Sequence, residues 1–428
     1  MSGNLSIGSG RRLWVDSVEF KVASIAFIAM LIYLIVCIYS RSPDNDVVNF
    51  FYHAENIKMG IIPYRDYVFE FPPLSLIFFV IPDLFTSDLG CYVGLYGLQV
   101  VLFTIVSLII IMRVSEKANC NRILAAFLFM VLVLIYFDEM IKKFDMICMT
   151  FTLISVYLFS ERRYEWAYVL LAVATLVKIY PAILLPVFLS INIMEKNSGG
   201  LRMAAKGFLC VVLTAIVVFI AFAMFSVSPG EILSFMSFHS DRGFQVESTV
   251  GVFIQLLGSL GLTSVTLIPK YGTFDVINPI CDALAPYWTY ITAALILLSL
   301  YLVVCSVDKN HEMRGYDDYS TFVILSTGFI TMVFMLTNKV FSTQYIVWIY
   351  PLLVIMALHQ KSGNVELFSA LLVMMVIFSR IFLIDTPGGD LFLVFVVLRD
   401  IVLLIIFGLL VKMIYGYRTE DVEQNIDV

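Results

Sequence analysis

Along this chain, long apolar runs alternate with short polar punctuation. Runs at 22–39, 91–112, 123–137, 146–160, 207–226, 288–307, 320–337, 345–359, 365–384 and 391–413 each predict a helix that crosses a bilayer. About 20 apolar residues suffice for such a crossing. The stretch 166–194 is longer, flanked by ERRYE and EKNSGGLR, and interrupted at Lys178-Ile179-Tyr180-Pro181. Proline removes a backbone donor and breaks a helix, so two short helices folded into a hairpin are expected, with Lys178 at the apex. The stretch 71–86 is apolar but short, and Pro72, Pro73 and Pro82 break it. It predicts a re-entrant or interfacial segment. The sum is one all-α polytopic domain over 1–428 with about 12 transmembrane helices. Nothing resembling a small-residue cleavage site follows the first run, which is expected to be an uncleaved span.

Composition narrows the function classes. Of 428 residues, 61% are hydrophobic and only 14% charged, with a mean hydropathy of +0.94. A soluble domain with so few charges could not cover its surface. A soluble enzyme and a disordered chain are excluded; the formal charge of -6 also argues against a nucleic-acid binder. The seven cysteines are scattered without a CxxC pair, so no disulfide framework or thiolate metal site is readable. Lys and Arg favour one side of the predicted spans by about two to one, which places both termini in the cytoplasm. The outside then receives a first loop at 41–90 and a second large segment at 227–287, while 414–428 forms a cytoplasmic tail.

Polar chemistry collects on the predicted external face. Four segments contribute: 43–73, 138–145, 238–248 and 338–348. Charges near hydrocarbon are costly and persist where they face a cavity or a partner. Asp44 and Asp46 follow the first span almost at once. An aspartate there could act as general base toward a hydroxyl. Asp44-Asn45-Asp46 could also hold a divalent cation, or simply cap a helix after Pro43. Lys178, Arg380 and Arg399 are intramembrane cations, each in the outer half, where a lipid-linked phosphate would lie and pair with them. Arg380 and Arg399 could instead snorkel or pair with Asp385, Asp390 or Asp400. His239, Asp241, Arg242, Gln245 and Glu247 form a dense polar cluster, without a second His at metal-ligand spacing. Trp288 and Trp348, at span ends, fit an interfacial aromatic belt.

The order of these pieces resembles the GT-C membrane glycosyltransferases, most closely glycosyltransferase family 87, the polyprenyl-phosphate-mannose-dependent group. The resemblance runs through Asp46, Tyr52, Gly60, Pro63-Tyr64 and Asp66, then Phe71-Pro72-Pro73-Leu74 and Phe144-Asp145. It continues through Lys178-Ile179-Tyr180-Pro181, His239-x-x-Arg242-Gly243-x-Gln245-x-Glu247-Ser248, Phe341-Ser342-x-Gln344-Tyr345-x-x-Trp348 and Arg399. It implies a GT-C fold with re-entrant or interfacial helices on the external face. It also implies a catalytic Asp in the first external loop, carried onto Asp46 because the downstream Tyr and Gly spacing counts from there. Asp44 stays as a second carboxylate beside it.

The expected reaction is inverting transfer of a hexose, mannose by resemblance, from a polyprenyl or dolichyl phosphate to a glycan or glycolipid hydroxyl. Lys178, Arg242 and Arg399 would hold the donor phosphate. Asp44, Tyr64, Asp66, Asp145, Tyr180, His239, Gln245, Glu247, Gln344 and Tyr345 would bind substrate or orient the catalytic groups. The 71–86 stretch and the hairpin would flank a groove for the lipid tail. The scheme calls for no metal and no cofactor. The expected setting is a multi-pass protein of the cell membrane. A lipid-linked sugar flippase or secondary transporter is the alternative, and it requires polar groups near the midplane with repeat symmetry.

Overall fold

The computed structural model describes residues 17–40, 45–194, 199–236, 242–270, 273–306, 316–359, 363–381 and 386–424. In chain order the helices are α1 (Val18–Ser40), α2 (Asn45–Lys58), α3 (Ser75–Asp83), α4 (Leu89–Lys117), α5 (Arg122–Met140), α6 (Asp145–Ser160), α7 (Tyr164–Val177) and α8 (Leu185–Met194). Then follow α9 (Gly200–Ala223), α10 (Pro229–Ile232) and α11 (Thr249–Ser259), and an antiparallel hairpin of β1 (Thr266–Lys270) and β2 (Thr273–Ile277). The chain continues through α12 (Pro279–Ser306), α13 (Tyr316–Thr337), α14 (Ile346–Leu358), α15 (Val365–Ile381) and α16 (Asp390–Gln424).

Among the described residues, seven helices are long and apolar enough to cross a membrane, within α1, α4, α5, α9, α12, α13 and α16. The remaining expected spans are shorter. α6 has 16 residues and α14 has 13, about 24 and 20 Å at 1.5 Å per residue, below the ~30 Å of a bilayer core. The reason lies in packing. Every residue of α14 is buried, as expected of a helix apolar all round. A helix enclosed by protein need not match the bilayer, because neighbours satisfy its end groups. α9 and α12 show the opposite pattern: Leu213, Val217, Ile220, Leu297, Leu298 and Tyr301 point outward, a surface suited to hydrocarbon.

The expected hairpin is present. Lys178 leaves the helix with extended backbone (φ -153°, ψ 137°), and a short 3-10 turn, Tyr180–Leu184, carries Pro181. The second arm then returns along the first: Asn192 donates to the Tyr168 hydroxyl at 3.1 Å, and Phe188 meets the Tyr168 ring edge-on. Gly207 of α9 lies so close to Tyr168 that a Cβ there would overlap the ring. The 71–86 stretch becomes α3, which packs inward: Phe78 and Phe79 are buried, and their carbonyls accept from Gln99 and Tyr92.

Ion pairs gather at the two ends of the helix bundle. One end joins Lys117 to Glu161, Arg122 to Glu19 and Glu116, and Lys206 to Glu165. The other joins Lys143 to Asp46, Lys178 to Asp145, Arg380 to Asp138 and Arg399 to Glu247. A second, smaller core sits at this latter end, built from Phe244, Val246, Val252, Val276, Phe392 and Val396 among others.

Candidate active site

The site is built on places where helices stop. α6 opens at Asp145, directly after Phe144. α7 ends at Lys178, because Pro181 cannot continue it. The Lys178 Nζ reaches Asp145 Oδ1 at 2.7 Å, and Trp348 Nε1 donates to the same oxygen at 2.6 Å. Trp348 is stacked between Tyr180 (4.1 Å, interplanar 2°) and Tyr345 (3.9 Å). The ammonium also lies 4.8 Å from the Phe144 ring centre and 5.2 Å from that of Tyr345, within cation–π range. Asp145 is 2% exposed. A buried charge persists only when paired and hydrogen-bonded, and this one is both. Trp348 therefore does not belong to an interfacial belt: it is buried and committed to Asp145, because its position in the second turn from Ser342 faces the hairpin apex.

Asp46 lies in the first turn of α2, and Lys143 Nζ meets its Oδ2 at 2.5 Å. Lys143 and Asp145 are two residues apart, at most about 7 Å of chain. Asp46 and Lys178 are thus held at one end of the bundle by opposite sides of a single turn. Glu70 joins them. Burial pushes its carboxyl up; the Arg242 charge opposes that shift and the Asp46 charge adds to it. Arg242, half-buried, therefore shares an electrostatic neighbourhood with Glu70.

The 242–248 segment is tied down along its length. Gly243 N donates to Asp275 Oδ2 at 3.2 Å, Gln245 N to the Lys339 carbonyl at 3.0 Å, and Gln255 Nε2 to the Val246 carbonyl at 2.7 Å. Gly251 approaches the Gln245 carbonyl so closely that any Cβ would overlap it. Gln245 itself is 1% exposed and serves here as a joint of this segment. Glu247 is the outcome of this bracing: its Oε2 accepts from Thr343 Oγ1 at 3.0 Å and faces Arg399 Nη1 at 3.5 Å. Arg399 is fully buried; it also donates to the Glu247 carbonyl at 2.6 Å and to Asp400 at 2.9 Å, and lies over the Phe341 ring. Burial pushes the Glu247 carboxyl up, and the Arg399 charge and Thr343 oppose it. Tyr345 feels the charges of Lys178, Asp145, Arg242 and Glu247 together, so its ring bridges the two halves of the site. Gln344, half-buried, precedes it in the 3-10 turn Thr343–Tyr345.

Other expected residues lie elsewhere or do architectural work. Tyr64 has φ 69° and donates to the Phe71 carbonyl at 2.5 Å. Asp66 pairs with Arg65 and accepts from Ile62 N at 2.7 Å, contacts that pull its carboxyl down to about 2. Both residues shape the first loop, and Arg65 ties that loop to the Phe225 carbonyl at the end of α9. The Tyr180 hydroxyl meets Thr152 in the core, so only its ring serves the site. Arg380 pairs with Asp138 at 2.6 Å, because α15 packs against the end of α5; Asp385, one of the acids expected to meet it, lies outside the described residues. Asp44, His239 and Asp241 lie outside the described residues. Among the described residues no group of three His, Cys, Asp or Glu could hold a metal.

Sequence reasoning missed Lys143, Glu70 and Thr343 as site residues. The signal for Lys143 was available: it sits two residues before Asp145 in a segment already assigned to this face. A largely apolar recess also opens between α11 and the start of α12, lined by Thr249, Val250, Phe253, Leu257 and Leu284, its first residue two positions after Glu247.

Among curated proteins none matches the chain. Of solved structures, the oligosaccharyltransferase of Archaeoglobus fulgidus in its apo form aligns at 13% identity with a TM-score of 0.45, over 94% of this chain and 56% of that one. The same enzyme tethered to an acceptor peptide with an NVT sequon aligns at 12% identity with a TM-score of 0.36, over 95% and 56%. The chain thus spans about half the length of the enzyme it aligns with. Residues 69–267 match the profile of Glycosyltransferase family 87, a stretch that holds Glu70, the Lys143–Asp145 turn, Lys178 and the 242–248 segment of the site. Over that segment the family match agrees with the motifs read from the sequence.

Proposed function

We propose that the chain transfers a hexose, mannose by the family resemblance, from a polyprenyl or dolichyl phosphate to a hydroxyl of a glycan or glycolipid, on the outer face of the cell membrane. One observation carries this reading. A single turn, 142–145, engages both the candidate base Asp46 and the candidate phosphate cation Lys178. Asp46 takes the proton of the acceptor hydroxyl as its oxygen bonds to the anomeric carbon. The bond from that carbon to the phosphate oxygen breaks, and the phosphate leaves with the electron pair. Attack opposite the leaving phosphate inverts the anomeric centre. Lys178 and Arg242 stabilise the charge that develops on the phosphate, usually the largest single contribution in such sites. Arg399 acts through Glu247, which it braces, and Gln344 and Tyr345 meet sugar hydroxyls.

Polyprenyl phosphate is a good leaving group, so the protein has to supply only a base and preorganised cations. A transporter would need charged groups along its middle. Here the interior helix α14 is buried and predominantly apolar, and the ion pairs named above sit at the bundle ends. Purified protein in nanodiscs, given a panel of polyprenyl-phosphate sugars and a glycolipid extract as acceptor, is expected to release polyprenyl phosphate from the mannose donor. Vectorial movement of the intact donor with no release would replace transferase by transporter.

A further inference from the structure

Lys143 lies in no motif, yet its ammonium meets the candidate base. The Lys143–Asp46 contact joins residues 97 positions apart, so it is a tertiary choice and not a local accident. The turn that carries Lys143 is clamped on both sides. Before it, Asp138 is gripped by Arg380 at 2.6 Å, and Lys142 pairs with Glu139 at 3.3 Å. After it, Phe144 is 5% exposed, with Phe50, Phe71 and Phe79 set edge-on around its ring. Asp145 is then fixed by Lys178 and Trp348. Asp46, by contrast, sits at the start of α2 with a side chain that is 44% exposed. A carboxylate that acts as a base has to be held in place, since a misplacement of about 1 Å can cost about 100-fold in rate.

We infer that Lys143 is a positioning residue for the transfer reaction: it fixes the Asp46 carboxylate against the rigid 142–145 turn, in register with Lys178. This inference rests on the function proposed above. A carboxylate has about four lone-pair sites, so accepting from Lys143 leaves capacity for an acceptor hydroxyl. Because Lys143 and Asp145 share the turn, the position of the base and the position of the phosphate cation are set by one element. Substrate phosphate at Lys178 and hydroxyl at Asp46 are thereby kept at a constant separation.

The test uses full-length protein in nanodiscs, polyprenyl-phosphate mannose as donor and the glycolipid extract as acceptor. Lys143→Met is expected to lower kcat by about 10- to 100-fold with donor KM within about twofold, and Lys143→Arg to restore most of kcat. In the Asp46→Asn background, Lys143→Met is expected to cause no further loss. A helix-anchoring role alone would lower the melting temperature and leave kcat per folded molecule unchanged, which overturns the inference. So does Lys143→Met with normal kcat while Asp46→Asn is inactive, an outcome that leaves the Asp46 reading standing. Near wild-type turnover in Asp46→Asn itself removes the reading on which this one rests.

Discussion

The two ends of the bundle use the same side-chain types to opposite effect. At one end Lys206 and Glu165 meet at 3.7 Å with side chains more than half exposed. Such pairs contribute about 0–1 kcal/mol, since water screens them and ordering two long side chains costs entropy. At the other end Asp145 and Asp138 are almost fully buried and Arg399 is entirely so. Removing charges from water costs several kcal/mol per ion before any pairing offsets it. An arrangement that costly contributes little to net stability, so its position is informative: it surrounds the carboxylates and cations to which chemistry is assigned. The first end is laced by exposed pairs of small net effect, and the second carries the buried charge to which the proposed function assigns substrate binding.

Substitutions can sharpen or break this contrast. The largest effect is expected for Asp145→Ala, which strands the buried Lys178 and should cost about 3–5 kcal/mol, read as a fall in melting temperature in detergent. A change no larger than that of an exposed pair would erase the distinction between the ends. Trp348→Phe keeps the aromatic stack but removes the donor to Asp145, a bond to a charged group worth about 1.5–3 kcal/mol, measured the same way.

The third expectation concerns pH. Burial pushes His53 down from 6.5 to about 4. Its neutral form is the folded one, donating to or accepting from Tyr67 at 3.2 Å. Between pH 6.5 and 4 the unfolded chain therefore binds a proton that the folded chain does not, and stability falls as pH drops through that window. The difference in melting temperature between wild type and His53→Gln should shrink on acidification from pH 7 to pH 4.5. A constant difference would show that His53 does not titrate this way. The smallest effect is expected at the opposite end: Glu165→Gln should stay within about 0.5 kcal/mol of wild type.

Much of this contrast was legible in the sequence. Apolar run lengths gave the long helices. The break at Lys178-Ile179-Tyr180-Pro181 gave the hairpin, because proline acts locally. The partners were not legible. Trp348 reaches Asp145 across 203 positions and Arg399 reaches Glu247 across 152; no periodicity encodes such contacts. Trp348 read as a belt residue because it opens a span, and only packing reveals that the span is interior. Arg380 read as a partner for acids near it in sequence, and α5 supplies Asp138 from far along the chain. Tyr64 and Asp66 followed the family pattern, but their contacts show them shaping a turn. Glu70 was hidden because it looked like an ordinary loop charge; Lys143 stood in a segment already assigned to this face, but its partner 97 positions away was not legible.

Asp46 is the proposed base of a hexosyl transfer at the buried-charge end. Turnover of polyprenyl-phosphate mannose by purified Asp46→Asn, compared with wild type at matched folded protein, tests it most directly. A loss of about 100-fold or more is expected, in keeping with the contribution of a positioned general base, with the melting temperature little changed. Turnover within about twofold of wild type would contradict it.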